Sequence, residues 1–384
     1  MFLAFLWHDA SHRLRELIEF FEKRVTSYND NNGIADMAQA SQQQSVAVLG
    51  GGSFGTVIAN IMAQNGHKVC LWLRNDERAR AINADRENKE YLPGYRLHER
   101  LYASNDLAGA VAAAEVIFVA VPSGSFREVS RQIARCSTPS ALIVSLTKGI
   151  EAGSFDLMSE ILAQELPDNP RAVLSGPNLA REIAQGQITG SVIASPSVAT
   201  NKRVHDLLHS GHFLVYSSHD MYGVELGGAL KNVYAILAGL GAAREFGENT
   251  VGMLLTRALA EMSRFAVHLG ANPLTFLGLA GVGDLIVTCS SPLSRNYRVG
   301  YALGHGDELE QVLAGMDQVA EGINTLALLK TEADRRCIHM PLVNGLYGIL
   351  HEARPVAEVF DDLMSTEQDQ DVEFVTQKTQ QELA

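Results

Sequence analysis

Cysteine is scarce in this sequence of 384 residues, with four distant positions at Cys70, Cys136, Cys289 and Cys337. Their number and spacing exclude a disulfide framework and a zinc site built on cysteine pairs. Cys70 lies in a stretch that we predict to be a buried strand. We therefore expect reduced thiols in the core and in loops, and no bound metal.

Long apolar runs and blocks of like charge are also lacking. No run approaches the roughly 20 residues that a membrane span needs, and the first ten residues lack the basic start and cleavage site of a signal peptide. The formal net charge of −13 disfavours nucleic acid as a partner. These absences predict a cytoplasmic protein without stable membrane insertion. An anionic substrate would have to be held by a few local cations.

Sequence patterns divide the chain into four segments. The predicted segments are an extension and linker (1–44), an α/β domain (45–218), an all-helical domain (219–365) and a polar tail (366–384). In the extension, apolar residues between Leu14 and Val25 recur on one face of a short helix. Its mixed charges make a membrane-surface helix the less favoured alternative. Met37 is an alternative start of the chain.

Strand-like runs alternate with helix-length stretches in the first half. Several runs are continuously apolar and β-branched, as in parallel strands that are covered on both faces. The alternation predicts a Rossmann-like, doubly wound parallel sheet. The predicted strands are residues 45–49, 68–73, 115–121, 141–146, 172–175, 191–195 and 213–217. The predicted helices of the second half are residues 220–241, 248–270, 295–304, 319–335, 341–351 and 355–364.

A glycine-rich loop follows the first strand. Gly50, Gly52 and Gly55 form G-x-G-x-x-G between that strand and a helical stretch, which is the context of a dinucleotide site. The first glycine makes the turn, the second lets a pyrophosphate approach the backbone, and the third permits close packing of helix on strand. Backbone N–H groups around Ser53 and Phe54 would face the phosphates.

The end of the second strand bears on the choice of cofactor. NAD sites usually carry an acidic residue about twenty positions after the loop, whereas this chain has Arg74 there. A guanidinium suits the 2′-phosphate of NADP, and the neighbouring Asp76 leaves NAD open. An exposed arginine without a role in binding is the plain alternative. We expect NADP(H), NAD(H) or both as cofactor.

Small and polar residues follow three further strands, at Ala120–Ser123, at Lys148 and at Ser175–Asn178. Ligands of open α/β sheets bind outside the carboxyl ends of the strands. The helix that begins after Asn178 would add N-terminal amides for an oxyanion or a nicotinamide. We therefore predict a ligand cleft along this edge.

Lys231 is the only side chain in LGGALKNVYAILAGL that is charged at neutral pH. Burial would lower its pKa and ease proton transfer near neutral pH, although a lysine that reaches out of a core helix is the alternative. Asp284 lies in an apolar, glycine-rich loop or short turn and needs a partner, for which Lys231 is suited. Ser294, Arg295 and Asn296 then offer a hydroxyl, a guanidinium and an amide at a helix start, a combination that suits phosphate.

Two other features receive a structural interpretation. His205, His209 and His212 favour a surface or helix-end cluster over zinc, because no Cys or carboxylate completes a ligand set. Glu321 is expected to cap a helix or line the cofactor cleft rather than perform acid–base chemistry. Thr288 would add a hydroxyl near Asp284.

Eight ordered motifs resemble those of the bacterial NAD(P)-dependent glycerol-3-phosphate dehydrogenase family over nearly all of residues 45–365. They are GGGSFGT, EYLPG, AVPS, TKGIE, SGPNLAREIA, ELGGALKNVYAI, GLAGVGDLIVTC and SRNYRVG. The resemblance implies a homodimer that reversibly reduces dihydroxyacetone phosphate to sn-glycerol 3-phosphate with NAD(P)H and supplies phospholipid synthesis. We expect the extension at 1–44 to lie outside it.

The resemblance also implies a role for individual residues. It makes Lys231 the proton donor and acceptor, and it places Lys148 against both substrate and cofactor. The other implied substrate contacts are Gly176, Asn178, Asp284, Ser294, Arg295 and Asn296. The other implied cofactor contacts are Ser53, Phe54, Arg74, Ala180, Arg295, Val319 and Glu321.

The expected chemistry is hydride transfer from nicotinamide C4 to the ketone carbon while Lys231, held by Asp284, protonates the alkoxide. A related two-domain hydroxy-acid dehydrogenase shares the glycine loop but does not explain Ser294, Arg295 and Asn296. A non-catalytic NADP(H) sensor does not explain a lysine in an apolar helix. Both alternatives stay open at the level of the residues.

Overall fold

A computed structural model of the chain describes residues 43–316 and 320–365. The predicted helix between Leu14 and Val25, the polar tail and Val319 lie outside these residues.

An eight-stranded sheet fills the first half of the described chain, in the order β3-β2-β1-β4-β5-β6-β7-β8. Alternate residues of β1 pack into apolar clusters on opposite faces, Val46 and Val48 on one side and Ala47 and Leu49 on the other. This two-sided burial explains the continuously apolar strands. The strands are β1 (Ser45–Leu49), β2 (Lys68–Trp72), β3 (Leu101–Ser104), β4 (Val116–Val119), β5 (Leu142–Ser145), β6 (Arg171–Ser175), β7 (Thr189–Ala194) and β8 (Phe213–Ser218).

All seven predicted strands are present, and two features differ from the prediction. The edge strand β3 was not predicted; it has only four residues, and Tyr102 within it is half exposed. The sheet is also not fully parallel, because β6 and β7 pair antiparallel. Strands β7 and β8 therefore run against the other six, and the start of β7 lies beside the end of β6.

Helices cover both faces of the sheet, as a doubly wound fold requires. The first, α1, begins at Ser53 within the glycine loop and ends at Gln64; Gly66 then takes a positive φ and redirects the chain into β2. The helices of this half are α1 (Ser53–Gln64), α2 (Asp76–Asp85), α3 (Leu107–Ala112), α4 (Ser123–Ala134), α5 (Met158–Glu165), α6 (Ala180–Ala184) and α7 (Val198–Leu208).

The second half of the described chain is helical, which confirms the predicted fold class. The helices are α8 (Met221–Ala243), α9 (Glu248–His268), α10 (Asp284–Ser290), α11 (Arg295–Gly304), α12 (Leu309–Ala314), α13 (Glu321–Arg335), α14 (Pro341–His351) and α15 (Val356–Ser365). A 3₁₀ turn (Pro273–Leu277) and a π-helical turn (Leu279–Gly283) precede α10.

The prediction that Asp284 lies in a loop or short turn was wrong, because this residue begins α10. Glycine has low helix propensity, so the LAGVG sequence argued against a helix there. Packing outweighs that propensity: a Cβ on Gly281 would lie 2.3 Å from the backbone of Phe276. Close contact therefore requires glycine, and the π-helical turn runs directly into α10.

Helix α8 forms the centre of the helical half, and most of its residues are buried. By length and composition alone it could cross a membrane, so the expectation that no apolar segment approaches that length was wrong. Inside the protein, 89% of the 18-residue apolar stretch of this helix is buried. This burial explains its composition, because a helix that is apolar all round needs a core around it.

Candidate active site

The glycine loop connects β1 to α1 and has the geometry of a phosphate cradle. Gly50 has φ +125°, and a Cβ there would lie 2.3 Å from the Ala120 carbonyl oxygen. A Cβ on Gly55 would lie 2.1 Å from the Gly50 oxygen, so the helix approaches the strand closely. Gly52 has nothing within 4 Å of a Cβ position. These glycines fit a dinucleotide: two are needed for packing, and the third leaves backbone open to a pyrophosphate.

The residues around the loop hold it in place. Ser53 Oγ donates to the Tyr91 carbonyl at 2.7 Å. Phe54 and Ala180 are half-buried against the same apolar cluster of the sheet. Arg74 is exposed, two residues after the end of β2.

Two glycines of α8 allow this helix to approach the sheet and α10. A Cβ on Gly228 would lie 2.5 Å from Ser175 Oγ, at the end of β6. A Cβ on Gly227 would lie 2.4 Å from the carbonyl oxygen of Ala280, before α10. One helical turn further along, the side chain of Lys231 therefore faces the junction between the strand ends and α10.

Lys231 meets Asp284 at this junction. The Lys231 side chain is 7% exposed, and its Nζ donates to Asp284 Oδ1 and, at 2.6 Å, to Thr288 Oγ1. Lys148, which follows β5, donates to Asp284 Oδ2 at 2.7 Å and to the Gly176 carbonyl at 2.9 Å. One carboxylate thus binds two amines, and Lys231 does not reach out to solvent.

The surroundings of Lys231 lower its pKa below that of an exposed lysine. Burial lowers the pKa of Lys231 to about 8, although the nearby Asp284 carboxylate opposes this shift. The positive charge of Lys148 contributes to the same lowering. An amine with a pKa near 8 can both give and accept a proton close to neutral pH.

The segment after β6 continues this site. Gly176 has φ +141°, and a Cβ there would lie 3.2 Å from the backbone of Ser191 in β7. Asn178 Nδ2 donates to Ser191 Oγ at 3.1 Å, and Ser191 Oγ donates to the Ser175 carbonyl at 3.0 Å. The antiparallel strand β7 therefore supports the side chain of Asn178.

The N-termini of α11 and α13 adjoin one another. Ser294 caps α11 by accepting from the Tyr297 N–H at 3.3 Å, and Arg295 is the first residue of that helix. Asn296 Oδ1 accepts from the Gly322 N–H at 3.0 Å. Glu321, the first residue of α13, accepts from Ser123 Oγ at 2.8 Å and from the Ser123 N–H at 3.3 Å.

Three contacts of this region were not predicted. Lys148 shares Asp284 with Lys231, Ser191 holds Asn178, and Ser123 holds Glu321. The motifs containing Lys148 and Ser123 were recognised, but the pairs are 136 and 198 residues apart in sequence. Ser191 carried no local signal, because its place beside β6 depends on the antiparallel pairing.

The histidine cluster has partners within the protein. His205 and His209 stack at 4.5 Å, His205 also contacts Asp206, and His209 ends α7. His212 precedes β8. Within residues 43–316 and 320–365, no group of three or more His, Cys, Asp or Glu side chains could hold a metal ion. The four cysteines are free thiols, and Cys70 is buried in β2.

Two family models match the chain. The model of the NAD-dependent glycerol-3-phosphate dehydrogenase N-terminus matches residues 45–201, and the model of the C-terminus of the same enzymes matches residues 220–361. Together they include the glycine loop, both lysines and Asp284.

Curated relatives carry the same description. The chain is 55% identical to glycerol-3-phosphate dehydrogenase [NAD(P)+] of Pseudomonas syringae pv. syringae, over 87% of this chain and 98% of that protein. It is 51% identical to the enzyme of that name from Saccharophagus degradans, over 94% of this chain and 99% of that protein. The latter match is longer than the chain after residue 44. It therefore includes part of the extension, which we had expected to lie outside the resemblance.

Solved structures share the fold. Glycerol-3-phosphate dehydrogenase of Coxiella burnetii superimposes with a TM-score of 0.81 at 36% identity, covering 84% of this chain and 99% of that one. The enzyme of Saccharomyces cerevisiae does so with a TM-score of 0.75 at 25% identity, covering 85% and 100%.

Proposed function

The chain belongs to the NAD-dependent glycerol-3-phosphate dehydrogenase family, and we propose that Lys231 is the general acid and base of its reaction. The enzyme is an NAD(P)-dependent oxidoreductase that reduces dihydroxyacetone phosphate to glycerol 3-phosphate. The observation that carries the proposal is the buried Lys231 amine, hydrogen-bonded to Asp284 and Thr288 beside Lys148.

Lys231 moves the proton in this mechanism. The bound nicotinamide supplies the hydride that the carbonyl carbon accepts. As an ammonium, Lys231 donates its proton to the carbonyl oxygen while negative charge develops there, so that a hydroxyl and a neutral amine result. Asp284 and Thr288 fix the direction of the Nζ. In the oxidation direction the neutral amine takes the hydroxyl proton back.

The substrate is held by groups on both sides of Lys231. Arg295 and the N–H groups of the first turn of α11 bind the phosphate, with Ser294 and Asn296 beside them. Asn296 Oδ1 accepts from the Gly322 N–H, and this contact orients the Nδ2 group, which can donate to a ligand. Lys148, Gly176 and Asn178 line the side of the strand ends. Phosphate binding away from the reacting carbon supplies orientation.

The cofactor lies along the glycine loop in this proposal. Gly50, Gly52 and Gly55 shape the cradle, Ser53 and Phe54 contribute the first turn of α1, and Arg74 binds the 2′-phosphate of NADP. Lys148, Ala180, Arg295 and Glu321 would make further contacts with the cofactor, as the resemblance implies; Val319, the remaining expected contact, lies outside the described residues.

Several properties of the whole protein complete the proposal. Residues 45–218 form the dinucleotide-binding domain and residues 219–365 the helical substrate domain, and both domains contribute residues to the substrate site. The enzyme works in the cytoplasm as a homodimer without stable membrane insertion, and its product supplies phospholipid synthesis. The hydroxy-acid dehydrogenase and the sensor lose support, because relatives at 55% identity are named for glycerol 3-phosphate and NAD(P)+.

The decisive experiment replaces Lys231 with methionine, which is similar in length but cannot carry a proton. Turnover of dihydroxyacetone phosphate, followed as loss of NADPH absorbance, is expected to fall by about 10²–10⁴-fold. The dissociation constant for NADPH is expected to stay within about twofold of the wild-type value, since Lys231 is not among the proposed cofactor contacts. Lys202→Met, at a surface lysine paired with Asp206, is the control. Unchanged turnover in Lys231→Met would remove Lys231 from the mechanism.

A further inference from the structure

The loop between β5 and α5 carries Lys148 into the active site and packs against the helical half. Ile150 and Leu157 are buried in the core of the helical half. Between them, Phe155 stacks edge-on against Phe265 of α9, with ring centroids 5.9 Å apart. Residues 149–157, which we call the β5–α5 loop, therefore link the sheet to the helices directly after Lys148.

Arg127 of α4 holds this loop through its acidic side chains. Its guanidinium forms a two-pronged contact with Glu151, with Nε to Oε1 at 2.7 Å and Nη2 to Oε2 at 2.6 Å. Nη2 also donates to Asp156 at 3.0 Å, and Nη1 donates to Glu165 at 2.8 Å and to Gln164 at 2.7 Å. One side chain of α4 thus binds both arms of the loop and the end of α5.

Three carboxylates meet at this one guanidinium, and each is only about a fifth exposed. Hydrogen bonds from Arg127 are the largest cause of the lowered pKa of Glu151 and of Glu165. Arg131, one turn further along α4, contacts only Glu165 among them, at 3.2 Å. Without Arg127, Glu151 and Asp156 would repel each other across the loop, because like charges at short range oppose close approach.

The β5–α5 loop begins directly after Lys148, so the position of the loop affects the position of Lys148. Glu151 lies three residues after Lys148, and Ser154 Oγ donates to the same carboxylate at 2.7 Å, so the turn closes around it. The contacts of Lys148 with Asp284 and the Gly176 carbonyl need the backbone at this point to be fixed. A displacement of about 1 Å can cost on the order of a hundredfold in rate at such a site.

We propose that Arg127 is a positioning residue, which holds the β5–α5 loop through Glu151 and Asp156 and thereby sets Lys148 for substrate. This inference rests on the proposed role of Lys148 as a substrate contact.

The test compares Arg127→Ala and Arg127→Lys with the matched control Arg131→Ala on the same helix. In Arg127→Ala the KM for dihydroxyacetone phosphate is expected to rise by about ten- to a hundredfold, more than kcat falls, because Lys148 is a binding contact. The dissociation constant for NADPH is expected to change by no more than about threefold, since Lys148 is only one of several proposed cofactor contacts and Arg127 itself contacts the β5–α5 loop and α5. The KM of Arg127→Lys should lie between those of the wild type and Arg127→Ala, because lysine keeps the positive charge but cannot make the two-pronged contact with Glu151.

Hydrogen exchange gives a second readout. Amide exchange in residues 147–157 is expected to accelerate in Arg127→Ala and not in Arg131→Ala, with β1 and α1 unchanged. Adding Asp156→Asn to Arg127→Ala removes one uncompensated carboxylate. This change is expected to lower the raised KM part of the way to the wild-type value. If Arg127→Ala does not fold, Glu151→Gln breaks half of the fork with little change of shape and should show the same changes in smaller degree.

The proposal is overturned if folded variants at Arg127 and Glu151 keep both the KM and the exchange pattern of the wild type. It is also overturned if Arg131→Ala matches Arg127→Ala. Failure of the proposed function looks different: the wild-type protein would then not turn over dihydroxyacetone phosphate, or Lys231→Met would retain turnover, whatever happens at Arg127.

Discussion

Asp284 is the residue on which the candidate site converges. Its two oxygens accept from different amines, one on α8 and one after β5. A buried carboxylate needs such partners, because removal from water without compensation is costly. The two amines differ in their second hydrogen-bond partner: Lys231 donates to the Thr288 hydroxyl, whereas Lys148 donates to the backbone carbonyl of Gly176. Neither amine depends on bulk water for its orientation.

The pKa of Lys231 predicts opposite pH profiles for the two directions. Burial lowers this pKa to about 8. Ketone reduction needs the ammonium, so kcat for reduction is expected to fall as the pH rises through about 8. Alcohol oxidation needs the amine, so its rate is expected to rise over the same range. Initial rates in both directions at saturating substrates test this. Profiles with the same sign would contradict the assignment.

Arg74 predicts the discrimination between cofactors. It is exposed at the end of β2, where the 2′-phosphate of NADP would add a charge-assisted hydrogen bond. Arg74→Ala is expected to raise the KM for NADPH by about tenfold, with little change in the KM for NADH. Arg80→Ala, at a neighbouring surface arginine paired with Asp76, is the control. Equal losses for both cofactors would show that Arg74 does not recognise the phosphate.

At the scale of elements, the fit of α8 against α11 depends on glycine. A Cβ on Gly300 would lie 1.8 Å from the carbonyl oxygen of Ile236, which is backbone and cannot turn aside. Gly300→Ala is therefore expected to lower the free energy of unfolding by about 1–3 kcal/mol. Gly252→Ala in α9 is the matched control: nothing lies within 4 Å of its Cβ, and we expect a gain of ~0.4–1 kcal/mol. Denaturant unfolding measures both, and equal effects would refute the packing argument.

The elements show what sequence could predict and what it could not. Seven strands and six long helices were predicted because apolar periodicity is a local property. Strand β3 was missed because an edge strand of four residues buries little. The sequence predicted a loop or short turn at Asp284 because glycine has a low helix propensity. In the structure, the preceding Gly281 is required by its close contact with the Phe276 backbone, and a helix begins at Asp284. At the site, residue types were predictable from motifs. The pairing of Lys148 with Asp284 was not, because it joins distant segments.

At the scale of the whole molecule, two buried carboxylates make stability depend on pH. Burial raises the pKa of Glu261 and of Glu225 to about 7, against the hydrogen bonds that Leu342 and Ser159 donate to them. Between the ordinary value of 4.5 and about 7, the folded state binds more protons than the unfolded state. Stability from these groups is therefore full at the acidic end of this range and is lost as the pH rises through it.

Glu261→Gln tests this dependence. The amide cannot ionise, so the loss of melting temperature between about pH 5 and pH 7.5 is expected to be smaller than in the wild type. Glu358→Gln, at an exposed position in α15, should leave the slope as it is. Calorimetry at several pH values measures both variants. A wild-type slope in Glu261→Gln would show that this carboxylate does not take up a proton on folding in that range.

The reversal of β7 has a practical consequence for hybrid enzymes. Because the start of β7 lies beside the end of β6, Asn178 and its support Ser191 come from opposite arms of one hairpin-like unit, residues 171–195. A chimera joined inside this unit would combine an amide from one parent with a hydroxyl from another. Crossover points for recombination between homologues therefore belong before Arg171 or after Ser195, where the unit is inherited whole.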